Sequence, residues 1–193
     1  LPHYGLDSAT VTLLSYSENG TFLVESETGR QVLRVHRPGY HSLAAIESEL
    51  DWMESLRRDS AIATPQVIPA PDGRRVVEVR IGNETRLVDL FTFVDGTIAE
   101  DDASDISFSE LGAITATLHE HVQHWERPES FTRFRWDLDA MLGPDGRWGD
   151  WRDAPALSAA DAAVIAEAER KVIHRLTNYG MGPERFGLVH ADL

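Results

Sequence analysis

The 193 residues carry 18 basic and 32 acidic side chains, a formal net charge of −14, with 42% hydrophobic and 26% charged residues. This is the composition of a globular protein, with too little positive charge for a nucleic-acid-binding face. With no cysteine and no apolar run long enough to span a membrane, it excludes disulfides, thiolate metal sites and a transmembrane helix.

The charge is unevenly spread. Residues 1–94 hold 9 basic and 13 acidic groups, and residues 95–193 hold 9 basic and 19 acidic groups, nets of −4 and −10. An acidic second half suits a cationic ligand by field focusing, or simply favours solubility. The start, Leu1-Pro2-His3-Tyr4, has neither the basic end nor the apolar stretch of an export signal, so a cytoplasmic protein is expected. The sequons at Asn19 and Asn83 then have no bearing. Lys171 is the only lysine and lies in a charged helical run, which leaves P-loop and Schiff-base chemistry little support.

In chain order, Thr10–Tyr16, Thr21–Ser26 and Gln31–His36 read as three short strands, with turns at 17–20 and at Thr28-Gly29. From Ser42 the period becomes helical, and Leu43, Ile46, Leu50, Met53 and Leu56 form one stripe. Pro65 closes that region. Arg75–Ile81 and Arg86–Val94 are two further strands joined at Gly82-Asn83. After Asp95-Gly96 the chain turns helical. Ser107 and Glu110 form a capping box, and Phe108, Leu111, Ile114, Leu118, Val122 and Trp125 make the expected buried stripe. Phe131–Pro155 is irregular and aromatic, with a helix start at Asp137-Leu138-Asp139. Ser158 and Asp161 open a long helix with Ile165, Ala168, Val172 and Leu176 inward and Gly180 as its stop. Phe186–Val189 reads as a short strand that delivers His190-Ala191-Asp192-Leu193.

An apolar strand ending in His-X-Asp is how a kinase catalytic loop begins, with the aspartate orienting the attacking hydroxyl. On its own this three-residue pattern reads as a terminal surface carboxylate before it reads as catalytic. Context adds weight. A kinase needs a basic residue on the third strand for the α- and β-phosphates and a helical glutamate to position it. Arg34 lies mid-strand and Glu49 lies on the next helix. Glu47 competes for that role, but Glu49 sits beside the apolar stripe. A solvated arginine and a surface glutamate are the plain alternative. The connector after Arg86–Val94 is where an adenine would lie, held by backbone at Thr92 and Val94 with Phe91 behind it.

These residues together resemble the aminoglycoside phosphotransferase and choline kinase-like family. The resemblance is carried by Glu18-Asn19-Gly20-Thr21-Phe22, Val32-Leu33-Arg34-Val35, Ser48-Glu49-Leu50 and Phe91–Gly96, then by Leu111-Gly112 with Leu118-His119, and by Gly187–Leu193. It implies an α+β, bilobal protein-kinase-like fold. Residues 1–94 would be a five-stranded antiparallel nucleotide-binding lobe with one helix. Residues 95–193 would be a mainly helical lobe, incomplete in this chain and ending at the catalytic loop. It implies ATP and Mg²⁺, with transfer of the γ-phosphoryl group to a hydroxyl of a small cationic molecule; the charge and the lack of a spanning run point to neither nucleic acid nor membrane as partner. By position Asp192 would be the catalytic base and His190 a support of its loop. Arg34 and Glu49 would serve the phosphates, and Asn19, Gly20 and Thr21 the loop over the nucleotide. Two departures stand out: arginine at 34 where the family often has lysine, and metal ligands that would lie beyond residue 193. Both also feed the alternative of a kinase-shaped protein that binds a ligand or partner without turnover.

Other motifs are weaker. His119-Glu120-His121-Val122-Gln123-His124 fails the zincin pattern because position 123 is glutamine, although His121 and His124 share a helix face. Neither G-x-G-x-x-G nor G-x-S-x-G occurs.

Overall fold

The computed structural model describes residues 1–96 and 107–191. Its chain divides into two compact units: Leu1–Arg133, joined by residues 189–191, and Phe134–Leu188.

The first unit is built on five antiparallel strands: β1 (Thr10–Tyr16), β2 (Asn19–Ser26), β3 (Gly29–His36), β4 (Val76–Ile81) and β5 (Glu84–Thr92), in spatial order β1-β2-β3-β5-β4. The first hairpin is tighter than the sequence suggests. Asn19 and Gly20 already pair with His36 and Val35, so they open β2 instead of forming a turn. Gly20 is buried, and a Cβ there would meet the Phe22 ring at 2.9 Å. Alternation along the strands gives the sheet two apolar faces. On one, Val24, Leu33, Val77, Val88 and Leu90 form a core under the N-terminal Tyr4 and Leu6. On the other, Val67, Val76 and Phe91 pack against Ile46 and Leu50 of helix α1 (Leu43–Asp59). Ser42 caps α1 by accepting a hydrogen bond from the Ala45 amide at 3.2 Å. The 66–68 segment extends the sheet beside β5, with Ile68 N–H donating to Leu90 O and Thr92 N–H to Gln66 O.

Helix α2 (Phe108–His124) starts at the expected cap, where Ser107 Oγ accepts from the Glu110 amide. Its apolar stripe behaves differently from expectation. Leu118 and Val122 are buried, but Ile114 is exposed and Phe108 is 84% exposed. Burial needs a facing element, and among the described residues α1 packs on α2.

The second unit holds α3 (Leu138–Leu142), capped by Asp137, and α4 (Ala159–Tyr179), capped by Ser158 and stopped at Gly180 with φ 81°. The inward stripe expected of α4 is not buried; Val172 and Leu176 are both exposed. The pattern marks a face, while covering it takes more than α3, the element α4 packs against here. Phe134, Trp136 and Trp148 cluster in this unit, with Trp136 and Trp148 edge-to-face at 5.6 Å. The strand expected at Phe186–Val189 does not form, since no ladder partner meets its backbone among the described residues. No helix among these residues is long and apolar enough to cross a membrane.

Candidate active site

The site starts from strand register. Leu23, Val32 and Phe91 face one another across β2, β3 and β5, and Thr21, Arg34 and Asp89 make the next row on the same face. Residues two apart on a strand share a face at a spacing of about 7 Å. An apolar row and a charged row therefore lie side by side on the face that α1 packs against.

Arg34 is the hub of the charged row. Its Nη1 donates to Glu49 Oε1 at 2.6 Å. Its Nε and Nη2 donate to Asp89 Oδ1 and Oδ2 at 3.0 and 2.6 Å, a two-pronged pairing that only a guanidinium can make. Its Cζ lies 5.0 Å from the centre of the Phe91 ring. Asp89 is fully buried and also meets His36 Nε2 at 3.1 Å. Glu49 is held on its other oxygen by Arg133 Nη1 at 3.2 Å, and the same nitrogen donates to Ala45 O. The Thr132 amide donates to Ser48 Oγ, so the 132–133 segment ties α1 in place.

Electrostatics follow from this arrangement. Burial works against the Arg34 charge, but the hydrogen bonds and charges of Asp89 and Glu49 outweigh it and raise the guanidinium pKa. Burial likewise pushes the Glu49 carboxyl up, and Arg34 and then Arg133 bring it below the ordinary value. For Asp89, burial is again outweighed, here by the hydrogen bonds from His36 and Arg34, and its pKa is lowered. All three groups are charged at neutral pH.

A guanidinium has five N–H bonds. Three are engaged by carboxylates, which leaves one on Nη1 and one on Nη2 beside the apolar row. Of the apolar row Phe91 is buried, while the half-buried Leu23 and Val32 offer an apolar surface to a base, and the two N–H bonds are donors for an anion.

The remaining residues of interest are placed as follows. Glu47, the rival of Glu49, pairs instead with Arg75, which also reaches Asp51 at 2.8 Å. Asn19 accepts from the Arg37 amide, and Arg37, just after β3, pairs with Glu18 of the β1–β2 turn at 3.0 Å. At the connector Phe91 is buried, and the Thr92 amide is already engaged by Gln66 O at 2.8 Å, so it is not free for a base edge. Val94 is exposed. His190 is exposed within the first unit. Asp192 lies outside the described residues. His121 and His124 do not converge: His121 is buried with Nε2 3.8 Å from Asp59, while His124 bonds back to Glu120 O on its own helix. Among the described residues no group of three or more His, Asp or Glu side chains could hold a metal ion.

Three side chains in this network, Asp89, His36 and Arg133, are absent from the sequence reading. Asp89 had a signal, an acidic residue inside the apolar run Leu87–Phe91, where an unpaired charge is untenable. Arg133 had none, because it lies 84 residues from Glu49 and among other arginines.

Residues 10–193 match the sequence model of the phosphotransferase enzyme family, APH. The chain belongs to that family. A protein of Deinococcus radiodurans described only as uncharacterized is 28% identical over 193 residues, which is 98% of this chain and 53% of that protein. The solved microcompartment-associated aminopropanol kinase is 45% identical with a TM-score of 0.87, over 99% of this chain and 59% of that one. An amicoumacin kinase solved with AMP-PNP, Ca²⁺ and Ami has a TM-score of 0.73 at 20% identity, over 98% of this chain and 55% of that one, a likeness of fold alone. The chain thus spans little more than half the length of these relatives. The α+β, kinase-like fold of this chain is the one its sequence led us to expect.

Proposed function

We propose that this chain is the nucleotide-binding part of an ATP-dependent phosphotransferase that phosphorylates a hydroxyl of a small cationic molecule of the amino-alcohol class. The observation that carries the reading is the Arg34–Glu49 pair at 2.6 Å, set beside the apolar row of Leu23, Val32 and Phe91. The base stacks on the half-buried Leu23 and Val32 of that row and the two remaining Nη N–H bonds take the phosphates. Glu49, fixed by Arg133, keeps the guanidinium from swinging away. Asp192 accepts the proton of the attacking hydroxyl, and His190 supports its loop.

The acceptor class rests on the 45% identity to an aminopropanol kinase and on the charge of −10 over residues 95–193, which favours a cation. Mg²⁺ accompanies ATP in this reading, but the described residues supply no metal site for it.

The full matching of Arg34 by two carboxylates is the one observation that favours the second reading, a kinase-shaped binder without turnover. Calorimetric titration of ATP with Mg²⁺ into the full-length protein, with turnover against a panel of amino-alcohols, decides. We expect ATP to bind both the unmodified protein and Asp192→Ala, and turnover to appear only in the former. ATP binding without turnover on any amino-alcohol supports the second reading, and absence of ATP binding refutes both the site and the function.

A further inference from the structure

Asp89 is an unusual residue to find where it is. Its side chain is 0% exposed, inside a strand whose neighbours are Leu87, Val88, Leu90 and Phe91. A buried carboxylate is tolerated only when its charge and its oxygens are matched. Here the match is Arg34 on both oxygens and His36 on one. A lysine at position 34 would carry its three N–H donors on one nitrogen and could not present the planar, parallel pair that Arg34 gives to the two Asp89 oxygens. The aspartate fits an arginine and misfits a lysine.

The geometry points to a second role for this pairing, and resting on the phosphotransferase reading we propose that Asp89 is a positioning residue for Arg34. By occupying the Nε–Nη2 edge of the guanidinium it fixes the plane and rotation of the fork. The free N–H on each terminal nitrogen is then presented in one orientation, and Glu49 locks the third bond. Asp89 itself touches no nucleotide; it acts through Arg34. The proposal implies that positions 34 and 89 are functional as a pair: with arginine at 34 an acid at 89 helps nucleotide binding, whereas with lysine at 34 the same acid draws the ammonium into the sheet and hinders it.

This change of sign separates the proposal from a purely structural ion pair, which would make loss of Asp89 harmful in either background. The test is the dissociation constant for AMP-PNP with Mg²⁺, measured by calorimetry on the full-length protein, on Arg34→Lys, on Asp89→Asn and on the double variant, with a melting curve for each. We expect each single variant to bind about tenfold or more weakly, the scale of a lost charge-assisted contact. We expect the double variant to bind at least several-fold more tightly than Arg34→Lys. If Asp89→Asn does not fold, the comparison of Arg34→Lys with the double variant decides alone. Equal or weaker binding by the double variant overturns the proposal, and so does its failure to fold when Arg34→Lys folds, because a lysine would then need Asp89 as much as the arginine does. If the unmodified protein does not bind AMP-PNP, the phosphotransferase reading falls first and the proposal with it.

Discussion

Replacing Glu49 by glutamine removes one negative charge while keeping the side chain's shape. The structure gives that charge two partners, Arg34 at 2.6 Å and Arg133 at 3.2 Å, with about a quarter of the Glu49 side chain exposed (23%). A hydrogen bond to a charged group contributes about 1.5–3 kcal/mol to stability. Glutamine still accepts one bond through its amide oxygen, but its NH₂ group then faces the second guanidinium. Partial exposure screens what is lost, so a net cost of about 2 kcal/mol is the central estimate. For a domain of this size that lowers the melting temperature by about 4–8 °C. Differential scanning calorimetry of Glu49→Gln against the unmodified protein reads this directly. AMP-PNP affinity should fall in the same variant, because the contact that holds Arg34 to α1 is no longer charge-assisted. A melting temperature within about 1 °C of the unmodified protein would refute the claim that Glu49 is the electrostatic tie between α1 and β3. Unchanged nucleotide affinity with the expected drop in melting temperature would confine Glu49 to a structural role.

Other expectations follow from the same geometry. Leu50 is 0% exposed between α1 and the sheet, so Leu50→Ala should cost about 2–5 kcal/mol, read from urea unfolding. Arg133→Ala removes the bonds to Glu49 and Ala45 O; it should destabilise by about 1–2 kcal/mol and speed amide exchange in the first turns of α1. Glu49 and Asp89 both have folded-state pKa values below their ordinary ones. Their contribution is therefore fully present above the ordinary carboxylate range, about pH 4, and is lost as pH falls through the lower folded values. Urea midpoints taken from pH 7 downward should hold to about pH 5 and then drop, and Glu49→Gln should shrink the drop.

Much of this fold is legible in the sequence because local signals agree with one another. Ser42, Ser107, Asp137 and Ser158 each cap the helix that starts after them, since a hydroxyl or carboxylate at that position meets amides no helix can satisfy internally. The five strands of the first unit follow from β-branched runs and turn residues. The Arg34–Glu49 pair is legible because strand and helix periods place both on facing sides of one junction. What the sequence hides is what depends on distant chain. The exposed stripe of α4 and the half-exposed stripe of α2 are visible as patterns, but whether a stripe is buried is settled by the neighbour and not by the helix. The extra pairing of Asn19 and Gly20 is hidden for the same reason, because the length of β3 opposite them decides where the hairpin turns.

Asp89 shows how an apparent departure from a family pattern can be read physically. Arginine in place of lysine at position 34 keeps the charge and changes its shape from a point to a fork. A fork reaching one glutamate would be free to rotate about its own axis, and a freely rotating donor gives a phosphate no fixed geometry. A second carboxylate, bonded along the Nε–Nη2 edge, removes that freedom. The second carboxylate must be rigid itself, and a strand interior with no solvent access is the most rigid place available. On this view the burial of Asp89, costly in isolation, is the condition for its use. It also predicts that Asp89→Glu, which keeps the charge but adds a methylene to a packed row beside Val76, should disturb AMP-PNP affinity as well as stability. A variant that melts lower yet binds AMP-PNP as the unmodified protein does would show the orientation of Arg34 to be insensitive to its buried partner.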